Sequence, residues 1–147
     1  MKEGTFLGFD FGTKYLGVAV GQTITQTATP LLTLKIPQGG EKATFEALSK
    51  VISEWQPKGF VVGLALQPDN THSLTSLAAQ KWGEALSAHF QLPVYFIEER
   101  LTSCAARERL RETPLPPRSS TRVIDAIAAA IILESWFTYQ KELTCAK

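Results

Sequence analysis

Gly8-Phe9-Asp10-Phe11-Gly12-Thr13-Lys14, continued by Tyr15-Leu16-Gly17-Val18-Ala19-Val20-Gly21, has the pattern of a buried strand, a tight turn and a second strand returning beside it. Leu7, Phe9 and Phe11 share one face by period-two alternation, which turns Asp10 to the other face with Phe6. A carboxylate among aromatics on a central strand is costly unless it is paired, hydrogen-bonded or holding a metal. Gly8 and Gly12 are expected to leave room beside Asp10 and at the turn for a ligand backbone or a phosphate. The competing reading makes Asp10 a turn cap through Thr13 and nearby amides.

Working outward, Ala28 to Ile36 reads as a third strand whose Pro30 suits a sheet edge, so the first three strands form an antiparallel meander. Phe45, Leu48, Val51, Ile52 and Trp55 recur at three- and four-residue steps and predict a helix over 41–55. Phe60 to Leu66 is a continuous apolar run, expected as a buried parallel strand, and the polar loop from Gln67 to Ser73 follows at its C-terminal end. A second helix is predicted over 74–90 and a fifth strand over 92–97, running straight into Glu98-Glu99-Arg100-Leu101-Thr102. Two adjacent carboxylates at the end of a buried strand repel each other, and strand alternation would point them to opposite faces. A short helix is expected over 103–112, then a proline-rich surface loop, Thr113 to Ser120.

The final helix is predicted from about Thr121, capped by Ser119, Ser120 or Thr121, to about Gln140. At 100° per residue Asp125 aligns with Ala128, Ala129, Ile132 and Trp136, the stripe expected to lie on the sheet. An inward carboxylate in a first turn is not explained by the helix dipole alone, which favours exposed acids there. Asp10, Glu99 (or Glu98) and Asp125 are therefore three acids in costly places. Convergent carboxylates invite a hard divalent ion such as magnesium, and two such ions at one phosphodiester activate water and stabilise the leaving oxygen.

The 147 residues fit one domain, 1–147, with 44% hydrophobic and 20% charged residues, as in a soluble globular protein. No apolar run reaches membrane-span length and no leader is visible, so a cytoplasmic location and no membrane partner are expected. Cys104 and Cys145 have no metal-ligand or disulfide spacing, and Cys104 is expected as a small packing residue. Trp55, Trp82 and Trp136 sit at helical spacings and are expected in the core, while His72 falls in the loop near the presumed site. Net charge is only +1, yet all six arginines (100, 107, 109, 111, 118 and 122) fall within 23 residues whose only acids are Glu108 and Glu112. Such a patch can neutralise several phosphates and steer a polyanion.

In order and spacing, Phe9-Asp10-Phe11-Gly12-Thr13-Lys14 with Gly17-Val18-Ala19-Val20, Val61-Val62-Gly63-Leu64, Glu98-Glu99-Arg100-Leu101-Thr102, and Asp125-Ala126-Ile127-Ala128-Ala129 with Ile131-Ile132-Leu133-Glu134 resemble the YqgF (RuvX) family. The resemblance covers nearly the whole chain. It implies an α/β ribonuclease H-like fold: a five-stranded mixed sheet, three strands antiparallel then two parallel, with helices on both faces. It further implies a nuclease maturing the 5′ end of 16S ribosomal RNA, with resolution of Holliday junctions as the alternative. Carried over by position, Asp10, Glu99 and Asp125 would be catalytic and hold magnesium or manganese, as two ions. The acid directly before the arginine is the one the family motif selects, hence Glu99 over Glu98. Thr13, Lys14, Arg100, Arg118 and Arg122 would contact substrate phosphate. The implied partners are structured RNA, the pre-ribosomal 16S 5′ region, and ribosomal subunits. No dimerisation surface is legible, which leaves a monomer as the default. Ala65 stands where the family has proline, and Arg118 and Arg122 where a lysine is usual. Two other classes share the opening motif: a non-catalytic RNA-binding assembly factor on the same fold, and a sugar-kinase or actin-like ATPase, which needs two such domains.

Overall fold

The alternating residues of the opening stretch form β1 (Thr5–Phe11) and β2 (Tyr15–Gln22), paired antiparallel with Asp10 opposite Gly17. The Gly12 N–H donates to the Tyr15 carbonyl at 2.9 Å across the turn. The computed structural model describes residues 4–12, 14–36, 41–67, 69, 71–102, 104–111 and 123–145, apart from the side chains of 100 and 141–145. β3 (Thr27–Lys35) joins the free side of β2, and its register shifts at Val18/Ala19, which face Leu32 and Pro30 and leave Leu31 as an extra residue. Pro30 thus stands beside a bulge on an edge strand, where a missing N–H is tolerated. β4 (Gly59–Leu64) and β5 (Val94–Glu98) run parallel to β1, completing the order β3-β2-β1-β4-β5. This is the mixed five-stranded sheet that the sequence leads one to expect.

The two faces of β1 carry two cores. On one, Leu7 and Phe9 meet Phe45, Leu48 and Val51 of α1 (Glu41–Trp55) and Ala79, Trp82 and Leu86 of α2 (Leu74–Phe90). Ser73 caps α2, its Oγ accepting from the Ser76 N–H at 3.0 Å, and Gln91 ends it in the left-handed region at φ 56°. On the other face, Phe6, Ala19, Val61 and Ile97 are covered by Ala129, Leu133, Trp136 and Phe137 of α4 (Val123–Cys145). Fully burying side chains such as Phe9 and Phe137 contributes about 2–3 kcal/mol each. A 3-10 turn over Glu99–Leu101 leads into α3 (Cys104–Arg111), which rests on α4 with Ala106 and Leu110 buried. Among the described residues α4 alone is long and apolar enough to cross a membrane, over Val123–Gln140, and 50% of that window is buried inside the fold.

Several boundaries move. β4 stops at Leu64, two residues before the predicted end at Leu66. β5 begins at Val94, after Pro93, whose ring supplies no N–H to a ladder. α4 begins at Val123 and extends to Cys145, past the expected end at Gln140. The expected caps Ser119, Ser120 and Thr121 lie outside the described residues. Trp82 and Trp136 are buried and Trp55 packs on the core, as their spacing predicts.

Candidate active site

Asp10 is the next-to-last residue of β1, at the end of the sheet where β4 and β5 also finish. Glu98 closes β5 and Glu99 opens the 3-10 turn, with the Thr102 N–H donating to the Glu99 carbonyl at 3.0 Å. The turn, rather than strand alternation, therefore sets the direction of Glu99. β4 lies between β1 and β5, so Glu99 must span roughly 10 Å of sheet to reach Asp10. Gly63 on β4 keeps that path clear: a Cβ there would stand 3.4 Å from Glu99 Cγ and 2.6 Å from Ile132 Cδ1. The side chains of Asp10 and Glu99 meet in a hydrogen bond.

Two carboxyls can share such a bond only if one keeps its proton. Burial, then the charges of Glu99 and Asp125, then the bond itself push Asp10 up from 3.8 to about 7. Burial also raises Glu99, against the lowering effect of its bond to Asp10. Asp10 is thus the donor of the pair and Glu99 the acceptor.

Asp125 stands in the first turn of α4. The backbone of that turn presses on β2 at Gly17, the cross-strand partner of Asp10, where a Cβ would overlap the Asp125 carbonyl oxygen. This glycine sets how deep α4 sits and brings the Asp125 charge within range of Asp10. The space beside Gly8, expected to admit a ligand, is instead filled by α4: a Cβ at Gly8 would meet Leu133 Cβ at 2.6 Å and the Ala129 carbonyl at 2.9 Å. Among the described residues no three His, Cys, Asp or Glu side chains stand close enough to hold one ion together. Asp10 and Glu99 touch, and Asp125 stands back from them. Magnesium and manganese take oxygen ligands, and one or two carboxylates completed by water suffice for magnesium. The half-buried Asp10–Glu99 pair, strained by like charge, fits that requirement.

The pair forms the floor of an open cleft of about 350 Å³. Ala128, Ile131 and Ile132 of α4 make one wall, and Thr102 and Arg107 the other. Neither Thr102 nor Arg107 was singled out by sequence reasoning for a role of its own; the arginine clustering was the available signal. Of the predicted phosphate contacts, Lys14 is exposed at the β1–β2 turn and does not line the cleft. Arg100 follows Glu99 in the 3-10 turn, its side chain outside the described residues, as are Thr13, Arg118 and Arg122. The basic window is not uniformly available to substrate. Arg109 Nε donates to Glu134 Oε1 at 2.8 Å, Nη2 donates to Glu134 Oε2, and Nη2 also donates to the Ala28 carbonyl at 2.7 Å. Cys104, expected to be packed, is exposed at the start of α3, because Ala106 and Leu110 are the residues that helix turns inward. His72 Nδ1 lies 3.1 Å from Ser76 Oγ, beside the start of α2.

Residues 4–139 match the RuvX family, described as Holliday junction resolvase. The chain belongs to the RuvX family. A RuvX relative from Dechloromonas aromatica is 47% identical over 135 residues, covering 91% of this chain and 90% of its own length. One from Hydrogenovibrio crunogenus is 42% identical over 134 residues, covering 91% of this chain and 93% of its own. Both bear the name "Putative pre-16S rRNA nuclease". In fold the chain is similar to Thermus thermophilus RuvC in complex with Holliday junction substrate, with a TM-score of 0.66 at 16% identity, over 94% of this chain and 96% of that one. It is also similar to the yeast mitochondrial Holliday junction resolvase, with a TM-score of 0.56 at 9% identity, over 95% and 80% of the two chains. RuvX proteins are a family of nucleases, and the ribonuclease H-like sheet expected from the sequence is the fold observed.

Proposed function

We propose that this RuvX chain is a single nuclease domain, 1–147, that hydrolyses phosphodiester bonds of structured RNA at the 5′ end of pre-16S ribosomal RNA. The observation that carries the reading is the hydrogen-bonded Asp10–Glu99 pair on the floor of an open cleft, with the charge of Asp125 close by. A soluble structural carboxylate pair would gain nothing from this placement, whereas a divalent cation converts the repulsion into binding. Asp10, Glu99 and Asp125 would hold magnesium or manganese, as two ions. When bound, the metal supplies Lewis-acid stabilisation of the phosphate and a nucleophilic water. The chain's own part is to fix the acids at the ends of β1, β5 and α4 and to exclude water along the apolar α4 wall. Lys14 and Arg100, with Thr13, Arg118 and Arg122, would contact phosphates along the RNA and set its register without reading bases. The expected setting is the cytoplasm, with ribosomal-subunit precursors as partners and a monomer as the working unit.

The test is cleavage of a labelled pre-16S 5′ RNA by the wild type and Asp10→Asn, with magnesium, manganese or EDTA. Cleavage that needs metal and is lost in a folded Asp10→Asn supports the reading; undiminished cleavage by the variant removes it. The description of the family and the fold of RuvC favour a second substrate, branched DNA. A four-way DNA junction in the same assay separates the two.

A further inference from the structure

Arg107 and Arg109 are two residues apart on α3, so their side chains leave the helix about 200° apart. They meet different surroundings. Arg109 is committed: it forks onto Glu134 of α4 and onto the carbonyl of Ala28 on β3. Glu134 is only 8% exposed, and its Oε2 also accepts from the Ala28 N–H at 3.0 Å. One ion pair thus satisfies both backbone groups of an edge-strand residue and ties α3, α4 and β3 together. Arg107 instead lines the cleft with Asp10 and Glu99. Among the described residues its one contact of hydrogen-bond length is Nη2 to Cys104 Sγ at 3.5 Å. A guanidinium has five donors and prefers paired contact with two phosphate oxygens, and among the described residues most of those of Arg107 are left to meet a ligand in the cleft.

We propose that Arg107 is a contact for substrate phosphate in the cleft, and that Arg109 and Glu134 are positioning residues that hold α3 so that Arg107 faces the acids. The inference rests on the nuclease reading above and gives the acidic floor the cation that an RNA phosphate requires. It also divides the basic window into one arginine that meets substrate and one that holds the scaffold.

The experiment compares Arg107→Met, Arg107→Lys, Arg109→Met and Glu134→Gln for cleavage of the labelled pre-16S 5′ RNA, for melting temperature, and for RNA affinity against salt. Arg107→Met should melt like the wild type, lose about 100-fold in kcat/KM, and lower the salt slope by about one. Arg107→Lys should restore the slope and recover only part of kcat/KM. Arg109→Met and Glu134→Gln should both melt lower and raise KM with kcat kept, at temperatures far below their melts, with the wild-type salt slope. Unchanged cleavage and slope in Arg107→Met would overturn the role of Arg107. A reduced slope in Arg109→Met but not in Glu134→Gln would make Arg109 itself a phosphate contact and overturn the division. Activity surviving in Asp10→Asn removes the nuclease reading instead, and the salt slopes then still decide the fate of Arg107.

Discussion

Replacing Asp10 by asparagine should stabilise the metal-free protein, and by an amount that depends on pH. Asp10 holds its proton up to about 7 in the folded chain, against 3.8 for an ordinary aspartate. The folded state therefore binds more protons than the unfolded state between these values. Wild-type stability should fall as pH rises through that window and, as far as Asp10 is concerned, stay level above it. The interval from 3.8 to about 7 corresponds to roughly 4 kcal/mol at 1.36 kcal/mol per pH unit. Asparagine has the shape of the protonated acid and can still donate to Glu99, but it is itself a partly buried amide. We expect it to recover about half, or roughly 2 kcal/mol, at pH 8 and close to nothing at pH 4. For a chain of this length that is a rise of about 6 °C in melting temperature at pH 8. The assay is thermal unfolding of both proteins in EDTA from pH 4 to pH 8.5. A variant that melts below the wild type at pH 8, or a gap that does not change with pH, would refute the charge repulsion assigned to this pair.

Magnesium should raise the wild-type melt by the equivalent of about 2–3 kcal/mol at a hundredfold excess over its dissociation constant at pH 8, and by far less at pH 5, where the pair retains its shared proton. The same titration on Asp10→Asn should show little gain. Gly17→Ala should cost about 3 kcal/mol, since the new methyl must displace the first turn of α4, and should weaken magnesium binding measured by calorimetry; an unchanged affinity would mean that Asp125 takes no part. Glu134→Ala leaves the Arg109 cation and the Ala28 N–H without their acceptor. With the Arg109 side chain 44% exposed, the loss should be about 2 kcal/mol rather than the larger cost of a fully buried pair. Urea denaturation measures it, and pairing Glu134→Leu with Arg109→Met should not recover it, because the Ala28 N–H and carbonyl then both lose their partners.

The sheet was legible because its cues are local. Alternation around Asp10, the proline of β3 and the apolar run of β4 each follow from neighbours in sequence, as do the three- and four-residue steps of α1. Asp10 and Asp125 stood out for the same reason, each being polar where its own element is apolar, and Glu99 as one of two adjacent acids at the end of an apolar strand. What remained hidden depends on residues far apart in the chain. Nothing near Gly8 or Gly17 says that the space beside them is filled by α4, over one hundred positions later. The fate of Arg109 is set by Glu134 and Ala28, so a count of arginines could not tell a phosphate contact from a scaffold tie. The exposure of Cys104 and the turn that aims Glu99 are likewise decided by how α3 leaves β5.

The helix that buries Phe6, Val61 and Ile97, supplies Asp125, walls the cleft and anchors Arg109 through Glu134 follows all the others in chain order. During synthesis Asp10 is made roughly 6–23 s before Asp125, at 5–20 residues per second. Until α4 is made, the face of the sheet that carries Phe6, Val61 and Ile97 has no helix to cover it. If cleavage needs Asp125 and the α4 wall, as proposed above, a newly made RuvX chain emerging among ribosomal RNA can become a nuclease only once α4 has left the exit tunnel. On that reading the order of its elements delays its own activity.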